Sequence, residues 1–258
     1  MPDPDHWATA AAVFADGRHH LWRDHSDRVN VVLLDEWLGE GPCGLVLKTD
    51  LFDEAVGAGL CRALRARARR VIGIDVSIAT ARDARPQGGT VLAADVRHLP
   101  FLRDTFDTIV STSTLDHFDS TEEITGSLGE LAQVLRPGGR LVVTLDNLEN
   151  PKLWLRSAVP WSLLRRTRLV PYYVGASLAR RQLCRVLAAL DFEILDVRAI
   201  MHAPRITAVA VSRLPAFAHD GWRRAFLAIL AGFELLGRLP TRFLTGHFVA
   251  VLARKKDA

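Results

Sequence analysis

The chain has 258 residues, 49% of them hydrophobic and 24% charged, with a formal net charge of +4. A chain of this size and polarity buries one large core, so one domain is expected rather than two. No run of 18 or more apolar residues occurs, which argues against a membrane-spanning helix.

The opening MPDPDHW is acidic and lacks an apolar h-region, so no signal peptide is expected. Trp7, Phe14, Leu21, Trp22, Val29, Val32, Leu33 and Trp37 recur close to one helical face, which predicts a helical cap over residues 1–43. Gly39-Glu40-Gly41-Pro42 ends it. Strands and helices then alternate through residues 44–258: GLVLKT (44–49), a helix within 53–69, VIGIDV (71–76), a short helix, TVLAAD (90–95), FDTIVSTST (106–114), a helix after Ser120, and RLVVTLDN (140–147). Near-continuous apolar strands in this rhythm predict a Rossmann-like doubly wound, mostly parallel α/β sheet of seven strands, with helices on both faces. Ser120 and Glu123 form an S-x-x-E capping box ahead of Ile124, Leu128, Leu131 and Leu135, and Pro137-Gly138-Gly139 is expected to end that helix. Residues 148–176 mix prolines, arginines and the aromatics Trp154, Trp161, Tyr172 and Tyr173, and are expected to form a helical lid over the site. A helix over 177–190, a strand FEILDVRAI (192–200), helical segments and a strand GHFVAVLAR (246–254) follow.

Cys43, Cys61 and Cys184 are widely spaced, with no CxxC pair and no His cluster, which argues against a disulfide framework or a metal site. Buried thiols in a reducing, cytoplasmic setting are expected. Lys152, Arg156, Arg165, Arg166, Arg168, Arg180, Arg181 and Arg185 fall in one stretch and read as a solvated basic face, with an anion-, nucleic-acid- or membrane-binding patch as the alternative.

Ligands of such sheets sit at the carboxyl ends of the strands. Asp75, ending VIGIDVS, can accept two hydrogen bonds from ribose hydroxyls, or can merely cap the next helix. Asp95-Val96 after the third strand can reach an adenine edge, or can be a turn aspartate. Ser111, Thr112 and Ser113 are small residues that let a ligand approach the fourth strand.

The ordered set VIGIDVS, AADVRHLPF, FDTIVSTSTLDHF and ELAQVLRPGGRLVVT resembles the methyltransferase type 11 group of class I S-adenosylmethionine (SAM) methyltransferases, over about half the chain. The resemblance implies SAM as cofactor, with Asp75 and Val76 at the ribose, Asp95 and Val96 at the adenine, and Ser111 near the methionine portion. One departure is large: where the family has VLDLGCGTG, this chain has Val46-Leu47-Lys48-Thr49-Asp50-Leu51-Phe52. Either Asp50 or the Thr49 hydroxyl binds the methionine end in a remodelled pocket, with Lys48 pairing to an acidic neighbour, or the pocket is closed. Gly57 is the glycine left to approach the cofactor, although spacing puts Gly57 and Gly59 in a helix.

A hydroxyl acceptor would benefit from a general base, for which His117 is the candidate, with His202 and His247 behind it, or His117 can be a hydrogen-bonded structural residue. The lid aromatics suggest a small apolar or lipid-like acceptor, with peripheral membrane contact as a further possibility. Nucleic acid is not expected, because no N/D-P-P-Y/F tetrapeptide is present. The alternatives are a non-catalytic SAM-fold binding protein and, third, a nicotinamide-dependent dehydrogenase, disfavoured by the missing GxGxxG.

Overall fold

The computed structural model describes residues 20–39, 41–159, 175–212, 214 and 219–257. Its strands are β1 Leu45–Lys48, β2 Arg70–Asp75, β3 Thr90–Ala93, β4 Phe106–Thr112, β5 Leu135–Asp146, β6 Phe192–Ile200 and β7 Phe248–Lys255. They make one seven-stranded sheet in the order β3-β2-β1-β4-β5-β7-β6. The first five pair in parallel, and β7 runs antiparallel to both β5 and β6. The strand order reverses between β1 and β4, so the crevice between them is the topological switch point.

Both faces of the central strands are covered, which is why they read as continuous apolar runs. Ile109, Leu141, Val143 and Val251 point into one core with Ile124, Leu128, Leu183 and Leu187. Their neighbours Val110, Val142 and Ala250 point into the other, with Leu33, Leu34, Trp37, Cys61 and Leu64. Each residue step along a strand switches face.

The helix after Ser120 is α6, Thr121–Val134; it follows α1 His20–Leu38, α2 Phe52–Val56, α3 Cys61–Arg65, α4 Ile78–Asp83 and α5 Arg85–Gly88. The Ser120 hydroxyl accepts from the Glu123 backbone N–H at 3.2 Å, as the capping box predicted. Pro137-Gly138-Gly139 does not end this helix, because β5 already begins at Leu135. Instead the register jumps from Leu135 opposite Phe106 to Arg140 opposite Thr108, looping out the intervening residues. Gly138 turns there at φ +69°, and a Cβ on Gly139 would lie 2.8 Å from the Arg136 carbonyl oxygen. The predicted helix over 53–69 is two short helices. Gly57 and Gly59 fall between them, and Gly59 adopts φ +59° with the Glu54 side chain packed where its Cβ would be.

Of the predicted cap, α1 is described, while Trp7 and Phe14 lie outside the described residues. Its Leu33, Leu34 and Trp37 join the sheet core, whereas Val32 is exposed. The later helices are α7 Pro151–Ala158, α8 Arg180–Ala189, α9 Arg205–Ser212, α10 Asp220–Phe233 and α11 Arg242–Thr245. Most of the predicted lid, with Trp161, Arg165, Arg166, Arg168, Tyr172 and Tyr173, lies outside the described residues. Cys43, Cys61 and Cys184 are free thiols.

Candidate active site

A cavity of about 210 Å³ opens at the carboxyl ends of the strands and is roofed by Trp22, Arg23, Ser26 and Asn30 of α1. Polar residues at or just after the ends of β1 to β5 line it: Thr49 and Asp50, Asp75, Asp95, Thr112, and Thr144 with Asp146.

At the end of β1, Lys48 is 1% exposed, and its ammonium donates to Glu54 Oε2 at 2.8 Å and to the Asp50 carbonyl oxygen. The other Glu54 oxygen accepts the backbone N–H groups of Leu60 and Cys61 at 2.8 and 3.0 Å. Burial alone would push the Lys48 ammonium down, but Glu54 and then Asp50 outweigh it and hold it well above its usual range. This network takes the place of a glycine loop. It fixes the strand end by a buried cation instead of by close backbone approach. Asp50 Oδ1 accepts from the Phe52 N–H at 2.8 Å, and its carboxylate lies 3.6 Å from Lys48 Nζ. Burial pushes the Asp50 carboxyl up to about 7; Lys48 opposes this, while Asp53, Asp75 and Glu54 add to it.

At the end of β2, Asp75 receives backbone N–H groups from Leu51 at 3.1 Å and Ser77 at 2.8 Å. The Leu51 contact is allowed because residue 73 is glycine: a Cβ there would come within 2.5 Å of Leu51 Cδ2. Burial raises the Asp75 carboxyl despite these two donors. Helix capping in this turn falls to Ser77, whose hydroxyl accepts from the Thr80 N–H at 3.3 Å. The Thr80 hydroxyl, on the cavity wall and buried, has no hydrogen-bond partner among the described residues. After β3, Asp95 is gripped by Arg97, whose Nε and Nη2 donate at 3.0 and 2.7 Å to Asp95 Oδ2. Burial would raise Asp95, but the Arg97 hydrogen bonds outweigh it and hold the carboxyl low.

The far end of the cavity is built by the turn Leu115–His117 after β4, by the end of β5 and by the start of β7. Asp116 is 3% exposed and accepts from the Ser113 hydroxyl at 3.1 Å, with Ser113 held at φ +51°. Asp146 pairs with the Arg156 guanidinium from α7 and lies 3.6 Å from His247 Nε2. Burial pushes Asp116 up to about 6 against the Ser113 bond. Asp146 also rises to about 6, through burial and then the Asp116 charge, with Arg156 opposing. Burial, followed by Arg205 and Arg156, drives His247 well below the usual imidazole range, so it is neutral at pH 7. His117 Nε2 lies 3.9 Å from Asp116 on the same wall.

The profile of the methyltransferase domain family matches residues 54–143. Those residues are similar to a methyltransferase domain. The match begins at Glu54, just past the remodelled strand end. Demethylmenaquinone methyltransferase of Thermobifida fusca is 33% identical over 139 residues, 51% of this chain and 52% of that protein. Probable tRNA methyltransferase 9B of Mus musculus is 29% identical over 119 residues, 45% of this chain and 27% of that protein. The chain thus spans about a quarter to a half of the curated relatives it matches. Among solved structures, N-methyltransferase NodS of Bradyrhizobium japonicum, in complex with S-adenosyl-L-homocysteine, aligns with TM-score 0.55 and 13% identity, covering 89% of this chain and 87% of that one. The [4+2]-cyclase SpnF aligns with TM-score 0.56 and 20% identity, covering 90% and 81%. The fold is that of the class I SAM-dependent methyltransferases.

Of the residues singled out from the sequence, Thr49, Asp50, Asp75, Val76, Asp95, Val96 and His117 line the cavity. Two expectations are corrected. Gly57 ends α2 and is not on the cavity wall, because the Lys48–Glu54 pair has replaced the loop that would carry a glycine inward. Ser111 is fully buried behind the wall and accepts from the Thr49 hydroxyl at 2.9 Å; residues 112–114 line the cavity in its place. His202, the reserve base, is also off the wall, tied to Thr245 Oγ1 at 2.7 Å. Sequence reasoning missed the residues Asp116, Asp146 and Arg156. The LDH triplet after β4 and the Asp ending LVVTLD were visible, but nothing in the sequence paired them.

Proposed function

We propose that the chain is a SAM-dependent methyltransferase acting on a small, apolar or lipid-like acceptor. The observation that carries this is the charge of the cavity. Asp50, Asp53 and Asp75 crowd one end, and Asp50 is pushed up to about 7 first by its own burial and then by the acids around it. A site of this kind favours a cationic ligand, and SAM bears both an ammonium and a sulfonium. The unpartnered Thr80 hydroxyl beside Asp75 also fits a polar ligand on that wall. Asp75 would hold the ribose hydroxyls, Asp95 and Val96 the adenine edge, and Asp50 the ammonium. When bound, SAM supplies a methyl group already activated by its sulfonium. The chain's own contribution is then positioning and exclusion of water. α1 closes over the strand ends and is locked down by Arg23, which donates to Asp53 Oδ1 at 2.7 Å. Asp116, with His117 beside it, can take a proton from a hydroxyl acceptor once its carboxyl is ionised.

Trp22, Phe52, Phe118, Met201 and Phe248 give the cavity apolar walls that suit a small apolar acceptor better than a folded RNA. Three free thiols suit a cytoplasmic setting. The test is to incubate the protein with methyl-labelled SAM and cell extract, then extract with organic solvent. Label in the organic phase supports the reading, whereas label only in precipitated RNA overturns the acceptor class. A second reading, a non-catalytic protein on the same fold, is favoured by the Lys48–Glu54 pair filling the place of the glycine loop. The likeness to a [4+2]-cyclase is a reminder that this fold alone does not fix methyl transfer. Binding of SAM without label transfer would select it.

A further inference from the structure

Helix α10 buries one face and leaves the opposite face apolar as well. Leu230, 2% exposed, packs with Phe226 and Leu227 against Trp22, Ala203 and Ala208. On the outer side Trp222 and Ile229 are each 61% exposed, and Phe233 is 36% exposed. Ala225, Ala228 and Gly232 lie exposed between them, and no charged residue occurs from Ala225 to Phe233. The apolar surface continues through exposed Leu235, Leu239 and Leu244. A helix that is apolar all round is normally covered by something.

The charges around this face select the cover. Arg223 and Arg224 stand at its start, and Arg238 and Arg242 follow its end. Arg223 lies 3.7 Å from Asp24, which leaves Arg224 as the outward cation at that end. Of the two acids of the segment, Asp220 stands exposed beside the first arginines and Glu234 does not. Asp220 sits in the first helical turn, and Glu234 turns inward to accept the backbone N–H groups of Met201 and His202 at 3.1 and 3.0 Å. We propose that the outer face of α10, with the leucines that follow it, lies against an anionic lipid surface. An apolar stripe with a tryptophan at one end and arginines at both ends has the chemistry of a helix lying in the headgroup region. No helix among the described residues is long and apolar enough to cross a membrane, so the contact is superficial. The inner face of α10 packs on Trp22, which lines the cavity, so the lipid surface would lie about one helix diameter, roughly 10 Å, from the site. Delivery of a lipid-like acceptor by this route rests on the proposed function, whereas the vesicle contact does not.

The test is sedimentation of the full chain with phosphatidylcholine vesicles, with and without phosphatidylglycerol. The chain should pellet with the anionic vesicles and be released by salt. Ile229→Glu and Arg224→Glu should each weaken pelleting about tenfold, whereas Leu102→Glu, at a site 84% exposed elsewhere, should not. An unchanged melting temperature in each variant shows that the fold is kept. No pelleting with anionic vesicles, or equal pelleting of parent and Ile229→Glu, overturns the proposal. A dimer in solution that Ile229→Glu splits would assign the face to a second copy and also overturn it. Vesicle binding by a protein that shows no SAM binding would sink the proposed function and leave this surface standing.

Discussion

Replacing Lys48 with Met probes the remodelled strand end most sharply. The ammonium is 1% exposed, 2.8 Å from a Glu54 carboxylate that is itself 0% exposed, so neither charge can turn to water. Lys48→Met takes the one cation paired with Glu54 among the described residues and leaves that charge to neutral donors such as the Leu60 and Cys61 N–H groups. Breaking a buried pair from one side costs about 3–5 kcal/mol. Against a total stability of about 5–15 kcal/mol for a domain, that is a large fraction. Adding Glu54→Gln removes the stranded charge while its carbonyl oxygen still accepts both N–H groups. The double variant should therefore recover most of the loss. Urea unfolding at neutral pH of the parent, Lys48→Met, Glu54→Gln and the double variant measures the coupling directly. Additive losses, or a cost below about 1 kcal/mol for Lys48→Met, would show that the pair does not hold the strand end.

Three further outcomes are expected. Asp75→Ala should weaken SAM binding by about 1–3 kcal/mol in calorimetry, for loss of a charge-assisted pair of hydrogen bonds, and unchanged affinity would remove the ribose assignment. Asp50→Asn should weaken SAM binding much more than Asp53→Asn, because Asp53 is spent on Arg23; equal effects on affinity would end the ammonium assignment. Asp116 and Asp146 titrate near 6 in the folded protein and near 4 unfolded, so folding retains their protons and stability should fall as pH rises from about 4 to about 6. Melting temperature against pH should lose part of that slope in Asp116→Asn, and methylation of a hydroxyl acceptor should rise as pH passes about 6 in the parent but not in the variant.

The sheet was legible because its strands are buried on both faces: Ile109 and Val110, or Val142 and Val143, fill opposite cores and leave an unbroken apolar run to read. The strand ends were legible for the same reason, since Asp75 and Asp95 stop such runs. Turns were read less well. Pro137-Gly138-Gly139 signals a break, but the sequence does not say whether the break closes a helix or bulges a strand, and pairing with Phe106 decided it. Ser111 and Gly57 were misplaced by one pleat and by one buried ion pair. At Ser111 the strand turns the hydroxyl behind the wall, and at Gly57 the Lys48–Glu54 contact sets the path of the chain. The Asp116–Asp146 grouping joins β4 to β5 and could not be seen from spacing along the chain.

Calorimetric titration of the purified chain with SAM, and with its demethylated product, tests the central claim most directly. A cleft lined by Asp75 and Asp95, with Asp50 and Asp53 crowded beside Asp75, should bind both, SAM the more tightly because only SAM bears the sulfonium charge. Saturating SAM should then raise the melting temperature by mass action. No heat of binding and no shift in melting temperature with either compound would mean that the Lys48–Glu54 network has closed the cofactor site, and the methyltransferase reading would fall.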